Sequence, residues 1–152
     1  MNDTDLTVPL ELQSFAPYLL NRIVHRYNQT LQSKLKEAGL TVTKMRVIAS
    51  LAVFEKLSVN ELCVHAISEQ STMSRAIEKM EEQGLVTRFV PDDDQRSRVI
   101  TLTAEGRRVY NDIRPVMDQA NAYLLRALSE DEQDMFFKLN QKILKQLREH
   151  PI

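Results

Sequence analysis

Between positions 59 and 106 the chain changes its hydrophobic periodicity in an order that leaves few folds open: a short helical repeat, a break, a longer helical repeat, then two β-rich runs around a turn cluster. Ser58 followed three residues later by Glu61 is a capping box, in which each side chain satisfies a backbone N–H left unpaired at a helix start. A short helix is therefore predicted from Val59, with Leu62 and Ala66 on one face. Ile67 and Ser68 break the pattern, and Ser68 is a favourable N-cap for a second helix reaching about Gln83. Met73, Ile77 and Met80, spaced by four and three, form a stripe facing a core, and Gly84 supplies the left-handed stop. Residues 85–90 and 97–102 are rich in β-formers and flank Pro91, Asp92, Asp93 and Asp94, so a hairpin with a long turn is expected.

Opposite the stripe of the second helix stand Ser71, Arg75, Glu78 and Lys79, with Thr72 and Ser74 on the flanks. Small hydroxyls at the start and an arginine one turn later suit a helix laid in the major groove of DNA. An ordinary amphipathic helix with a solvated face shows the same periodicity, so the hairpin that follows carries the distinction. Arg96 and Arg98 lie at or beside its tip, where an arginine can enter the narrow minor groove. Asp94, two residues before Arg96, is placed to orient it by a charge-assisted hydrogen bond.

The run STMSRAIEKMEEQGLVTR at 71–88, D-Q-R at 94–96 and L-T-A-E-G at 102–106 resemble the winged-helix core of the MarR family of bacterial transcription regulators, and the layout agrees over nearly the whole chain. Where the family's wing usually reads D-R-R, Gln95 stands in the middle and removes one possible phosphate contact, while Arg96, the minor-groove residue by this match, is retained. The resemblance implies a mainly α fold with a small β-hairpin wing: a winged helix-turn-helix DNA-binding core at 41–102, flanked by dimerisation helices at 14–38 and 103–149 in a single domain of 152 residues. It also implies a homodimer and a small, often phenolic, effector held between the dimer helices and the winged domain. Phe15, Tyr18, His25, Met45 and Tyr110 could line such a pocket, and each is equally natural as core filling.

The flanking segments read as long helices on their own patterns. Ser14 is taken as N-cap of the first, with Pro17 tolerable in its first turn, and Phe15, Leu19, Ile23, Tyr27, Leu31 and Leu35 recur every four residues. Residues 1–13 are expected to fray. After Gly39, Thr43 is expected to cap a helix carrying Met45, Ile48, Leu51 and Ala52. Thr103 caps a long helix with Val109, Ile113, Val116, Ala120, Leu124 and Leu128 on one side and a kink expected at Pro115. Ser129 and Glu132 make a second capping box before Met135, Phe136, Leu139, Ile143 and Leu147. The terminal helices have no obvious partner within one chain, which leaves an interleaved homodimer or a monomeric helical annex. A symmetric dimer would set its recognition helices roughly 34 Å apart and match a pseudo-palindromic operator.

Charge narrows the DNA hypothesis. The chain carries a net charge of -1, and residues 41–102 hold eight Lys or Arg against nine Asp or Glu. Bulk electrostatic attraction is therefore excluded as the basis of binding, which must rest on a few placed contacts from Arg75, Lys79, Arg96 and Arg98, with Arg88 either on a phosphate or lying along its strand. The same balance keeps open a different class of function, a winged-helix module that binds another protein and not DNA.

No apolar run of about 18 residues spans a membrane, no signal peptide precedes the polar start at Asn2 to Asp5, and a single cysteine forms no intrachain disulfide, so a bacterial or archaeal cytoplasmic protein is expected. Glycines only at 39, 84 and 106 assemble no phosphate-cradling loop, and His25, His65 and His150 have no second histidine or cysteine at helical spacing, so neither catalysis, cofactor nor metal is expected. Cys63 lacks Lys or Arg at i+3 and i+4 and is expected to be structural.

Overall fold

The computed structural model describes residues 9–90 and 98–149. Helices follow in the order α1 (Leu10–Gln13), α2 (Ala16–Glu37), α3 (Val42–Phe54), α4 (Val59–Ala66), α5 (Gln70–Glu82), α6 (Ala104–Leu125) and α7 (Glu130–Glu149). Strands β1 (Lys56–Ser58), β2 (Val86–Phe89) and β3 (Val99–Leu102) form one antiparallel sheet in the order β1-β3-β2. The described chain is thus mainly helical with a small wing sheet. The chain divides into two compact units, one through Met117 and one from Asp118 onward, with the boundary inside α6 two residues past Pro115.

Caps closed by nearby residues form as the sequence predicts. Ser58 Oγ accepts from the Glu61 N–H at 3.3 Å while the Glu61 carboxylate accepts from the Ser58 N–H at 2.7 Å. That backbone bond, with a second from the Ser58 hydroxyl, holds the Glu61 carboxyl below the usual carboxylate range. Thr103 Oγ1 accepts from the Gly106 N–H at the start of α6, and Ser129 pairs reciprocally with Glu132 at the start of α7. Gly84, at φ 69°, ends α5, with the Leu85 N–H reaching the Met80 carbonyl and the Gly84 N–H reaching that of Glu81.

Three expected caps are corrected, each because the helix begins at a different residue. Phe15, not Ser14, precedes α2, and it makes no side-chain cap. Ser14 would direct its hydroxyl to the N–H three residues on, which is Pro17 and has none; it instead ends α1, so residues 10–13 are a helical turn and not a frayed start. Thr41, not Thr43, caps α3, accepting from the Lys44 N–H at 3.2 Å. Gly39 and Leu40 close the end of α2 through the Lys36 and Leu35 carbonyls, so the chain is already extended at Thr41. Glu69, not Ser68, precedes α5 and makes no side-chain cap, while the Ser68 N–H closes the end of α4 on the Cys63 carbonyl.

The core of the first unit is the predicted stripe and its partners. Met73, Ile77 and Met80 of α5 are fully buried with Leu62 of α4, Val47, Ile48 and Leu51 of α3, and Leu31 and Leu35 of α2. Each such side chain contributes roughly 2 kcal/mol by leaving water. β1, a strand the sequence pattern misses because three residues show no alternation, pairs Leu57 with Ile100 and widens the expected hairpin to three strands. β2 pairs Val86 with Leu102 and Phe89 with Val99. At the base of the sheet the Thr103 hydroxyl donates to the Gly84 carbonyl, and the Leu85 carbonyl accepts from the Thr103 N–H at 3.1 Å. α5, the sheet and α6 are therefore joined at one point.

Much of the long helices stays uncovered. On α2 only the last turns are buried, whereas Leu19, Leu20, Ile23 and Val24 are exposed. In the second unit Ala120 and Leu125 are buried, but Met135, Leu139, Ile143, Leu144 and Leu147 of α7 are exposed.

Candidate nucleic-acid interface

Three buried side chains fix the rotation of α5, and this decides which residues it offers to solvent. Ser71, Thr72, Arg75 and Lys79 are exposed on the outer face, while Ser74 is half-buried on its flank. No carboxylate pairs with Arg75 or Lys79 among the described residues, so both cations are available to a phosphate or a base edge. Arg98 is exposed immediately before β3. Asp94 and Arg96 lie outside the described residues.

Arg88 Nε lies 3.1 Å from the Glu81 carboxylate, an ion pair between β2 and α5. Both side chains of that pair stay partly exposed, so it is a surface contact between strand and helix.

Beside α5 the structure brings in residues that sequence reasoning missed. The first turn of α3 and the outer face of α5 enclose an open groove of about 560 Å³ lined by Thr41, Thr43, Lys44, Thr72, Arg75 and Lys79, with Glu78 and Glu82 on its edge. Lys44 Nζ donates to Gln83 Oε1 at 2.8 Å, which fixes the start of α3 against the end of α5. Assigning the cap to Thr41 was the available signal, since it turns Thr43 and Lys44 into first-turn residues. The groove holds three cations against two carboxylates, a local positive excess inside a chain with a net charge of -1. Hydroxyls and cations so arranged can hold the oxygens of a polyanion's backbone.

The other residues singled out by sequence scatter. Met45 is buried core, Tyr18 is half-buried, and Phe15 and His25 are exposed. Tyr110 is half-buried and accepts from Arg114 at 2.8 Å. His65 stacks on Phe54 with ring centroids 4.4 Å apart, and Cys63 is half-buried. Among the described residues no group of three or more His, Cys, Asp or Glu side chains is placed to hold a metal, and no helix is long and apolar enough to cross a membrane.

A helix pair that shows a hydroxyl- and cation-bearing face next to a three-stranded wing sheet defines a winged helix-turn-helix protein. The sequence model of the MarR family matches residues 38–97. A MarR-family regulator from Silicibacter pomeroyi has the same fold with a TM-score of 0.82 at 38% identity, the match covering 93% of this chain and 95% of that one. Transcriptional regulator HosA of Escherichia coli is 28% identical over 131 residues, which cover 83% of this chain and 97% of the relative. A Mycobacterium tuberculosis MarR-family protein solved in complex with salicylic acid is 29% identical at a TM-score of 0.70, covering 90% of this chain and 96% of that one. The chain belongs to the MarR family and is a DNA-binding transcriptional regulator. HosA and the Silicibacter pomeroyi protein are both named as regulators of transcription.

Proposed function

We propose that the protein is a cytoplasmic, homodimeric repressor that binds a pseudo-palindromic operator and is released by a small organic acid. The observation that carries the DNA contact is the outer face of α5, where Ser71, Thr72, Arg75 and Lys79 stand exposed on a helix locked by Met73, Ile77 and Met80. α5 enters the major groove, Thr41, Thr43 and Lys44 flank it on phosphate, and Arg96, oriented by Asp94 and aided by Arg98, enters the minor groove. The whole chain acts as one MarR-type domain, with 41–102 as the DNA-binding core and helices of 14–38 and 103–149 as the dimer interface.

Three further observations support this reading. Escherichia coli MarR, whose fold the chain shares, has been solved in mutant form with operator DNA. A Mycobacterium bovis relative, 29% identical over 126 residues, is named a transcriptional repressor. The exposed apolar rows on α2 and α7 are surfaces that a second copy can bury.

The test is binding to the chain's own upstream DNA by fluorescence anisotropy across a salt series. Log affinity should fall with log salt by roughly one unit of slope per phosphate contacted. Arg96→Ala should lose most operator affinity with melting temperature unchanged, and Arg75→Ala should weaken base discrimination by about 1–3 kcal/mol. Operator binding by Arg96→Ala as tight as wild type would remove the wing from the interface.

A further inference from the structure

The wing sheet has two roots, and only one of them belongs to the DNA-reading helix. β3 is its central strand, with β2 on one side and β1 on the other. β2 follows α5 after a short turn, whereas β1 follows α3 through a single residue, Glu55. The angle at which the hairpin leaves the helices is therefore set at Glu55 as well as at the end of α5.

Glu55 is held in backbone that a residue with a side chain rarely adopts. Its φ of 66° is combined with a ψ of -48°, outside the ordinary left-handed well and close to the strained form of a three-residue turn. Such a conformation persists only where its surroundings over-determine it. Three contacts from different elements do so. The Glu55 N–H reaches the Leu51 carbonyl at 3.0 Å, and the Glu55 carbonyl accepts from the Thr101 hydroxyl of β3 at 2.9 Å. Arg107 of α6 donates from Nη1 to the Ala52 carbonyl at 3.0 Å, filling an acceptor that the last turn of α3 leaves open, at the end where the helix dipole favours a cation.

Arg107 stands four residues after Thr103, whose hydroxyl holds the Gly84 carbonyl just past α5. One turn at the start of α6 thus grips the ends of both helices from which the sheet departs. Arg107 is exposed and makes no ion pair among the described residues, and the Thr101 bond also lies at the surface. Neither bond adds to the buried core; what both supply is a fixed angle.

We propose that Thr101 and Arg107 are positioning residues for operator binding: by clasping the end of α3 they set the angle between α5 and the wing, without touching DNA. The proposal rests on the reading that α5 and the wing enter neighbouring grooves, since only then does their angle decide affinity. A hairpin already held at that angle engages with the helix, whereas a loose one must be ordered as it binds.

The test uses the full chain with three variants: Thr101→Val, which keeps the shape and removes the hydroxyl; Thr101→Ser, which restores it; and Arg107→Met, which keeps the stem and removes the donors. Thr101→Val and Arg107→Met should each weaken operator binding about three- to tenfold in fluorescence anisotropy, and Thr101→Ser should return it to near wild type. Amide hydrogen exchange of the free protein should quicken at residues 56–58 and 99–102 in both weakened variants and stay unchanged at residues 73–80 of α5. Thr101→Val combined with Arg96→Ala should lose less than the sum of the two losses, because both act through the wing, whereas combined with Arg75→Ala the losses should add. Faster exchange with operator affinity unchanged overturns the positioning role, and unchanged exchange overturns the clasp itself. A loss confined to Arg107→Met, with Thr101→Val like wild type, assigns Arg107 to DNA directly and overturns the proposal. If Arg96→Ala binds the operator as tightly as wild type, the reading of the wing fails separately: a Thr101→Val loss that Thr101→Ser restores then supports the clasp alone, and no loss overturns it.

Discussion

Ile67 occupies a position that glycine usually fills. With φ 55° and ψ 63° it sits in the left-handed region at the end of α4, where its Cβ crowds the backbone, and 76% of the residue is exposed. A left-handed β-branched residue costs about 1–3 kcal/mol, and glycine returns part of that as lost chain entropy. Ile67→Gly should therefore raise stability by about 1 kcal/mol in urea unfolding. A less stable variant would mean that the side chain packs more than its exposure implies. Gly106 is constrained in the opposite sense: a Cβ there would run into the Leu85 carbonyl oxygen, which cannot retreat because it accepts from the Thr103 N–H. Gly106→Ala should destabilise by about 1–3 kcal/mol in the same assay. Sequence marked Gly106 only as the end of a family motif, since the atom it makes room for belongs to a residue 21 positions earlier.

Helix α4 depends on its capping box more than longer helices do, because eight residues give it few internal hydrogen bonds. Ser58→Ala should cost about 1 kcal/mol in urea unfolding. The pH dependence follows from the direction of the Glu61 shift. Its folded pKa is lowered from 4.5 by bonds from Ser58, so its contribution is fully present above that ordinary value and is lost as pH falls through the lowered folded value. Glu61→Gln keeps an acceptor for the Ser58 N–H without a titrating group, and should flatten this part of the stability profile below pH 4.5, read by thermal unfolding across pH. An unchanged acid profile would assign that loss to other carboxylates. Ser58, Thr103 and Ser129 were legible as caps because each closes on a residue three positions away. Ser14, Thr43 and Ser68 misled because the first residue of a helix depends on where the preceding element ends: Ser14 follows α1, Leu40 closes α2 and Ser68 closes α4.

The whole chain leaves a large apolar surface on its long helices. Leu139 and Ile143 of α7, four residues apart on one face, are each about half exposed. If a second copy covers them, Leu139→Glu with Ile143→Glu should convert a dimer to a monomer in analytical ultracentrifugation. Operator affinity should fall with it, because two linked recognition helices bind with an effective concentration that one alone lacks. A double mutant that stays dimeric would move the interface elsewhere on the chain.

Local spacing was enough to place the helix pair, the wing strands, the core stripe of α5 and hence the outer face that carries Arg75 and Lys79. Those features depend on hydrogen bonds and side-chain periodicities that close within a few residues, so they are written in adjacent letters. Folding was needed to pair Arg88 with Glu81, to bring Thr41 and Lys44 beside Thr72, to add β1 to the sheet, and to carry Arg46 across to the Ala66 carbonyl. Which cation is held, which is free and which helical face stays uncovered depend on contacts between distant segments, and periodicity along one segment carries no record of the other.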